Sequence, residues 1–339
     1  MKLIKTEDAV GHVLCHDMTQ IIPGVKKDAA FRKGHIVTKE DIPVLLSMGK
    51  DTLYIWEKKE GIIHEDEAAK LLYEICSNEF MEASEIKEGK ISLRATCDGV
   101  FEVDTRRLNA INAIGEIVIS TRHGHFPVKK GDLLASMRVI PLVIEEEKLL
   151  KAKEAAMGKP LFRIRPFQKK KAVIVTTGNE VFFGRIEDAF GPVIKRKLKE
   201  YDVEVIKQVI INDDAKKITN IIKEAIKEGA TMVLCTGGMS VDPDDTTPTA
   251  IKNTGARLVT YGAPVLPGAM FLLAYYNDEI PIMGLPGCVM YNKRTIFDLI
   301  LPRVVADEKI TINELTTLGE GGLCLGCETC HFPNCGFGK

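Results

Sequence analysis

The chain has 339 residues, a length that corresponds to two or three folding units. Hydrophobic residues make up 45% and charged residues 27%, which is the composition of a globular protein and excludes general disorder. The 46 Lys and Arg residues nearly balance 47 Asp and Glu residues, so we expect neither a nucleic-acid partner nor an anionic membrane surface. Recognition of any anion must come from a local site.

Targeting signals are not evident. The longest apolar stretch, residues 263–276, contains two prolines and is shorter than the ~20 residues of a membrane-spanning helix, so no membrane span is expected. The amino terminus reaches the acidic pair Glu7-Asp8 before any apolar run typical of a secretion signal. Nine cysteines in a chain of this size are then expected to be thiols or metal ligands, which predicts a cytoplasmic protein.

The first half of the chain predicts a small α+β segment followed by a β-rich region. The pattern of residues 38–46 predicts a helix stopped by Gly49, residues 52–55 a strand, and residues 65–76 a second helix. Between residues 91 and 144, short apolar runs alternate with turns, which is typical of a compact β domain. We therefore predict four segments: 1–60 (α+β), 61–165 (β-rich), 166–308 (α/β) and 309–339 (a Cys-rich tail).

The second half of the chain alternates strands with amphipathic helices. Apolar strands are predicted over residues 172–175, 203–211, 232–235 and 280–283, and helices over residues 191–201 and 214–227, near Pro248, and over residues 289–304. This order predicts a three-layer α/β domain with a parallel sheet that helices cover on both faces.

Three of these strands run into glycine loops. Ligands of open α/β sheets bind where parallel strands end, and glycine lets the backbone approach phosphate oxygens closely. The three loops together predict a phosphorylated ligand, although each alone is better explained as a tight strand-to-helix turn. Neither a Walker nor a Rossmann glycine motif occurs in them. The predicted binding residues are Thr177, Gly178, Asn179, Glu180, Thr236, Gly237, Gly238, Ser240, Pro286 and Gly287.

Three aspartates follow the second loop, at Asp242, Asp244 and Asp245. Clustered carboxylates beside a phosphate loop are the oxygen ligands that Mg²⁺ takes when it bridges a protein and an anionic substrate. Helix capping is the alternative, because Asp is a favoured cap. Thr247 and Pro248 already supply a cap and a first helical residue, which leaves Asp245 freer to face a ligand.

The chain ends in a cluster of thiols: Cys324, Cys327, Cys330 and Cys335. Four cysteines at these spacings can converge on one metal centre. The Cys-x-x-Cys-x-x-Cys run is similar to the ligand run of an iron–sulfur cluster such as [4Fe–4S]. A structural Zn²⁺, held by four thiolates or by three together with His331, is the alternative.

The loops 176–181, 236–241 with Asp245, and 284–287 resemble, in order and spacing, the molybdopterin-binding domain of molybdopterin molybdenumtransferases. Residues 244–248 also look like the related adenylyltransferases, and residues 31–54 resemble a small N-terminal part of the same enzymes. The resemblance implies a cytoplasmic homodimer that binds molybdopterin or its molybdenum-loaded form with Mg²⁺. It also implies catalytic roles for Asp245 and Asp242 during molybdate insertion.

The chain departs from that family in three places. The Asn-Ser-Ala-Met-Asp-Gly segment is missing from residues 1–60, and the C-terminal β domain is replaced by the cysteine tail. Residues 265–269 read Val-Leu-Pro-Gly-Ala where those enzymes have Lys-Pro-Gly-Lys-Pro. These losses favour an alternative in which the protein is a non-catalytic carrier that supplies cofactor to a molybdoenzyme. A regulator that senses metal or redox state through its tail is a further alternative.

Overall fold

The computed structural model of the chain describes residues 2–22, 26–55, 60–240 and 246–339. The chain divides into two compact units. Unit 1 comprises Met1–Thr96, Val103–Arg122 and Gly131–Arg163, and unit 2 comprises Cys97–Glu102, His123–Lys130 and Ile164–Lys339. The four segments expected from the sequence stay a prediction.

Short strands dominate the chain up to Pro166, as the sequence predicts. Unit 1 holds the antiparallel sheet with strand order β6-β7-β11-β9. The elements are β1 (Lys2–Lys5), β2 (Met18–Ile22), β3 (Lys26–Phe31), α1 (Asp41–Ser47), β4 (Thr52–Ile55), β5 (Ile62–His64), α2 (Glu65–Cys76), β6 (Met81–Ala83), β7 (Ile91–Ala95), β8 (Gly99–Val103), α3 (Thr105–Asn112), β9 (Ile117–Thr121), β10 (Phe126–Val128), β11 (Leu133–Val139), β12 (Val143–Glu145), α4 (Glu146–Ala155) and β13 (Phe162–Pro166).

Unit 2 is built around a six-stranded sheet. Its elements are β14 (Lys171–Thr177), α5 (Asn179–Phe182), α6 (Phe190–Lys199), β15 (Glu204–Ile211), α7 (Ala215–Lys227), β16 (Met232–Thr236), α8 (Thr247–Asn253), β17 (Arg257–Tyr261), β18 (Leu272–Tyr276), β19 (Ile280–Leu285), α9 (Ile296–Val305) and α10 (Ile312–Thr317). The strand order is β15-β14-β16-β19-β18-β17. The first four strands are parallel and β18 pairs antiparallel with both β19 and β17, so the predicted α/β class with a mostly parallel sheet is confirmed.

Alternate residues of the central strands face two different helix layers. Val173 and Val175 pack with α7 and α8, whereas Ile174 packs with α6 and α9. These residues are fully buried, which is the pattern of a sheet covered on both faces. Three layers therefore result, as predicted. Among the residues that the structure describes, no helix combines the length and the apolar character needed to cross a membrane.

A buried ion pair holds the beginning of α9. The ammonium of Lys197 donates to both carboxylate oxygens of Asp298 at 2.6 and 2.8 Å, and to the carbonyl of Lys293 at 2.9 Å. The two side chains are 4% and 2% exposed, so each charge depends on the other for its solvation. Asp298 also accepts from Arg294 and forms a capping box with Thr295. One carboxylate therefore fixes both a helix end and the segment before it.

Replacing Asp298 with Ala should lower the free energy of unfolding by about 3–5 kcal/mol, because the Lys197 ammonium stays buried without its carboxylate. Urea denaturation measures this loss. Glu200→Ala is the matched control, since Glu200 accepts from the same Arg294 but is more exposed. It should cost less than about 1 kcal/mol. Equal losses in the two variants would contradict a special role for the buried pair.

A second ion-pair network surrounds Arg303. Its guanidinium, 5% exposed, donates to Glu308 at 2.6 and 3.0 Å and to Glu314 at 2.5 Å. His125 Nδ1 lies 2.8 Å from the same Glu308 carboxylate. Burial opposes the ionisation of Glu308, but the hydrogen bonds from His125 and Arg303 outweigh it and lower the pKa of Glu308 to about 2. The network is therefore held together by charge.

This network is also the only group of at least three His, Cys, Asp or Glu ligand atoms within 4.8 Å of one another in the described part of the chain. The group consists of His125, Glu308 and Glu314. Arg303 already supplies the positive charge that a metal ion would bring. We therefore interpret the cluster as structural.

The network predicts a pH dependence of stability. The folded-state pKa of Glu308, about 2, lies below the ordinary value of 4.5, so its ionised form contributes stability that is complete above about pH 4.5. That contribution is lost as the pH falls toward 2. In Glu308→Gln it is absent throughout, so the stability difference between wild type and variant should shrink across this window. Urea titrations at several pH values measure it, with exposed Glu187→Gln as control. A constant difference would contradict the assignment.

Candidate functional site

Three parallel strands end side by side in unit 2. Strand β16 lies between β14 and β19, and the register places Thr176 beside Thr236 and Thr236 beside Leu285. The carboxyl ends of the three strands therefore form one edge of the sheet. All three predicted glycine loops start from this edge, so the structure brings them together.

The first two loops touch through their backbones. Gly237 has φ +82°, and a Cβ atom there would lie 2.0 Å from the carbonyl oxygen of Thr177. At Gly238, with φ +53°, a Cβ atom would lie 2.9 Å from Thr247 Oγ1. Both the positive φ and the lack of space for a Cβ atom therefore require glycine at these two positions.

Two buried hydroxyl groups connect the loops to α8. Thr247 Oγ1 donates to the carbonyl of Gly237 at 2.9 Å and lies 3.1 Å from Thr177 Oγ1. Each hydroxyl has one proton, so Thr177 must be the donor to Thr247. Thr177 therefore retains only acceptor capacity for a ligand. The sequence analysis missed the side chain of Thr247, which it interpreted as a helix cap; the cap position is in fact Thr246.

Asp213 was also missed by the sequence analysis. It follows β15, and its carboxylate accepts from the backbone N–H of Asn179 at 2.9 Å. The hydroxyl of Thr246 donates to its carbonyl at 3.3 Å. Asp213 thus ties the first loop to the start of α8. The signal in the sequence is the polar run Asn212-Asp213-Asp214 directly after an apolar strand, the same arrangement that marked the glycine loops.

The first loop turns sharply at Gly178, which has φ +138°. The carboxylate of Glu180 folds back over this glycine, where a Cβ atom would lie 2.6 Å from Glu180 Oε1. The backbone N–H of Asn179 is occupied by Asp213. Asn179 can therefore offer a ligand its side chain but not its backbone N–H.

A buried hydroxyl oxygen at the strand edge has no hydrogen-bond partner among the described residues. It is Oγ1 of Thr236, a residue that is fully buried at the end of β16. Asn212 Oδ1, just after the end of β15, is also buried and has no hydrogen-bond partner among the described residues. Leaving a buried polar atom unpaired costs on the order of 1–3 kcal/mol, so these atoms suit contact with a ligand or a water molecule.

The second and third loops meet through Met239. Its buried side chain packs on Gly284, where a Cβ atom would lie 2.5 Å from the methyl group. Tyr261 Oη lies 3.1 Å from the carbonyl of Met239 and 3.2 Å from that of Ser240, whose side chain is exposed. In the third loop, Pro286 is buried and precedes the 3-10 turn Gly287–Met290.

The predicted magnesium ligands Asp242, Asp244 and Asp245 lie outside the described residues. Their described neighbours are Ser240, which follows the second loop, and Thr246, which contacts Asp213. The magnesium site and the catalytic roles of Asp242 and Asp245 stay predictions.

The cysteine tail folds back on unit 2. Leu266 donates its backbone N–H to Gly322 and accepts from Cys324, both at 2.8 Å. At the far end, Gly338 donates to Gly321 at 2.9 Å, and Phe337 is buried in the main core. The tail is therefore a loop whose two ends are joined to each other and to the domain.

All four tail cysteines line one cavity of about 570 Å³. Cys324 and Cys335 are half-buried, whereas Cys327 and Cys330 are exposed. No three of these sulfur atoms and the His331 nitrogens lie within 4.8 Å of one another in the tail, which is described throughout. The cysteines share a cavity, and the metal predicted for them stays a prediction.

Gly237→Ala should lower the free energy of unfolding by more than about 2 kcal/mol, because the added methyl group meets the Thr177 carbonyl and the residue needs a positive φ. Gly287→Ala is the matched control: nothing lies within 4 Å of a Cβ atom there. We expect it to change stability by less than about 0.5 kcal/mol. Urea denaturation compares the two. Similar stability of both variants would show that the two loops do not touch as described.

Two families match parts of the chain. A domain of unknown function (DUF8806) matches residues 3–57 and a "Probable molybdopterin binding domain" matches residues 173–306. A molybdopterin molybdenumtransferase of Staphylococcus epidermidis is 26% identical over 132 residues, or 37% of this chain and 31% of that protein. A CinA-like protein of Thermosipho melanesiensis is 27% identical over 112 residues, or 33% and 28% of the two chains.

Among solved structures, the tungsten cofactor synthesizing protein MoaB of Pyrococcus furiosus is 22% identical, with a TM-score of 0.31. The similarity covers 36% of this chain and 84% of that one. The chain thus spans about a third of the length of the curated relatives named. The segment shared with the matched family contains all three glycine loops. Residues 173–306 are therefore similar to the family described as a probable molybdopterin binding domain, and part of the chain is similar to a molybdopterin molybdenumtransferase.

Proposed function

We propose that unit 2 binds molybdopterin and that the three strand-end loops receive its phosphate. The observation that carries this proposal is the meeting of loops 177–180, 236–240 and 284–287 at the ends of adjacent parallel strands. The family match over residues 173–306 supplies the chemical class of the ligand. Backbone N–H groups in glycine turns are suited to phosphate oxygens, because no side chain keeps the anion at a distance.

The loops supply different contacts in this proposal. Gly237 and Gly238 bring bare backbone to the anion, while buried Thr236 offers an oxygen that needs a partner. Thr177 already donates its proton to Thr247, so it holds the loops in place and has no proton left for a phosphate oxygen. The exposed side chains of Glu180 and Ser240 lie at the rim, where they would select the substituents of the ligand.

We extend the proposal to catalysis of molybdate insertion. Asp242, Asp244 and Asp245 would hold Mg²⁺ against the phosphate of molybdopterin or of its adenylylated form. The ion would supply Lewis-acid stabilisation of the departing AMP. Asp245 and Asp242 would be the catalytic residues, and the molybdenum-loaded cofactor would be the product.

A carrier function is the second candidate, and residues 265–269 favour it. The resembled enzymes place two lysines around the Pro-Gly pair of this segment. Here Leu266 takes part in backbone pairing with the tail at Gly322 and Cys324 instead. A carrier would bind the loaded cofactor without turnover and transfer it to a molybdoenzyme.

Three further features complete the proposal. The family resemblance favours a homodimer, which analytical ultracentrifugation would measure. All nine cysteines are thiols, which suits a reducing compartment such as the cytoplasm. A metal, either an iron–sulfur cluster or zinc, would be held by the four tail cysteines.

Asp245→Asn should retain molybdopterin binding and lower Mg²⁺-dependent AMP release at least about 100-fold, because it removes one carboxylate charge beside the metal. The assay uses the full-length chain, adenylylated molybdopterin and molybdate under anaerobic conditions, with binding followed separately by calorimetry. Asp278→Asn is the matched control, since this aspartate is exposed in the turn between β18 and β19. It should change neither quantity.

The outcomes separate the two candidate functions. Tight binding by the wild type without AMP release would reject the enzyme and favour the carrier. An unchanged rate in Asp245→Asn would remove this residue from the mechanism. Absence of binding by the wild type, or binding by Gly237→Ala that is as tight as that of the wild type, would contradict the loop site itself.

A further inference from the structure

We infer that the tail binds a [4Fe–4S] cluster through Cys324, Cys327, Cys330 and Cys335, and not a zinc ion. The inference deepens the tail part of the proposed function and is independent of pterin binding. It rests on the frame that holds the tail, on the cavity between the cysteines, on the spacing of their sulfur atoms and on the charges of the cavity wall.

Close contacts fix both ends of the tail. Gly321 and Gly338 close it into a loop, and a Cβ atom at Gly321 would lie 2.0 Å from the carbonyl oxygen of Lys339. Gly338 packs on Leu299 of α9, where a Cβ atom would lie 2.6 Å from a methyl group of that side chain. The Lys339 ammonium donates to the carbonyl of Pro333 at 2.8 Å. A free cysteine segment would not need such close fixation of its ends, whereas a site with fixed ligand positions does.

The space between the cysteines fits an inorganic core better than a single ion. All four cysteines line the 570 Å³ cavity, and Phe332 and Phe337 form apolar parts of its wall. Thiolates close directly around a zinc ion, so a structural zinc site leaves no room between its ligands. A cluster of iron and sulfide ions must itself fill such room.

The sulfur positions argue against a preformed zinc site. Zn–S bonds of about 2.3 Å in a tetrahedron place the sulfur atoms about 3.8 Å apart. No three tail ligand atoms lie within 4.8 Å of one another. In a [4Fe–4S] cluster each thiolate binds a different iron, which keeps the sulfur atoms farther apart. The Cys324-x-x-Cys327-x-x-Cys330 spacing is that of known ligand runs for such clusters.

The cavity wall also complements a negatively charged cluster. Lys293 and Arg294 line it, opposed there by the single acidic residue Glu328. Lys293 is fixed by donating to the carbonyl of Glu328 at 2.8 Å, and the Arg294 guanidinium lies 5.1 Å from the centre of the Phe332 ring. Four thiolates around iron carry net negative charge, which Lys293 offsets, whereas the charge of Arg294 is already paired with Glu200 and Asp298.

The remaining cysteines are poor competitors as ligands. Burial raises the pKa of the thiols of Cys15, Cys76, Cys97, Cys235 and Cys288. Only the thiolate binds a metal, so burial works against a metal at any of these five. The tail cysteines are therefore the group to test.

The test is anaerobic reconstitution of the full-length chain with ferrous iron, sulfide and dithiothreitol, followed by desalting. We expect about four iron and four sulfide ions per chain, with the broad visible absorbance of thiolate-to-iron charge transfer. Cys327→Ser/Cys330→Ser should lose at least nine-tenths of the iron. Both residues are exposed, so far-UV circular dichroism should show the variant folded. The half-buried Cys97→Ser is the matched control and should bind iron like the wild type.

Three results would overturn the inference. The first is colourless protein with about one zinc per chain when both metals are offered. The second is iron content that is equal in the double variant and the wild type. The third is a folded wild-type chain that retains no metal. Molybdopterin binding measured on the same samples keeps this test separate from the proposed function, since the double variant leaves the strand-end loops intact.

Discussion

The contact between Gly237 and the carbonyl oxygen of Thr177 is the constraint on which the arrangement of the site depends. A Cβ atom at residue 237 would lie 2.0 Å from that oxygen, which is too close for any side chain. The φ of +82° at the same residue also favours glycine. The contact lets the ends of β14 and β16 approach each other. The Thr177 hydroxyl can then donate to the Thr247 hydroxyl, which donates in turn to the Gly237 carbonyl. A side chain at this position would separate both the loops and the hydroxyl groups.

A buried charge plays the corresponding role for the tail. Asp298 neutralises Lys197, caps α9 and holds Arg294, which lines the cavity between the cysteines. Lys293, the next residue of that wall, gives its carbonyl to the same Lys197 ammonium. The cost of burying these charges is offset only when all partners are present, so the wall has one favourable arrangement. The position of two cations at the cavity is thereby fixed from within the core.

The sequence was sufficient for the features that local patterns encode. Helix α2 has the predicted bounds, and the strand-end loops fall on β14, β16 and β19 because continuous apolar runs followed by glycine are unambiguous. Strands β17 and β18 were not predicted. Strand β18 is the end of the apolar run 263–276, which was interpreted only as too short for a membrane span.

Features that depend on tertiary contacts were not predictable in this way. Asp213 and Thr247 belong to the loop cluster only because β15 and α8 pack beside β14 and β16. The direction of the hydroxyl chain, which leaves Thr177 as an acceptor, also follows from three-dimensional contacts alone. Cysteine spacing indicated a metal site, but the cavity that the four cysteines share could not be predicted from their spacing.

Residues 265–269 join the start of α9 to the cysteine tail. Gly268 packs on Ile296, where a Cβ atom would lie 2.4 Å from its side chain, and Leu266 pairs with the beginning of the tail. The segment is thus held between α9, which begins just after the cavity-wall residues Lys293 and Arg294, and the tail that carries the cysteines. The two bonds that Leu266 makes to the tail come from its backbone, so they do not depend on the side chain at this position. The segment therefore anchors the tail independently of what the strand-end loops bind.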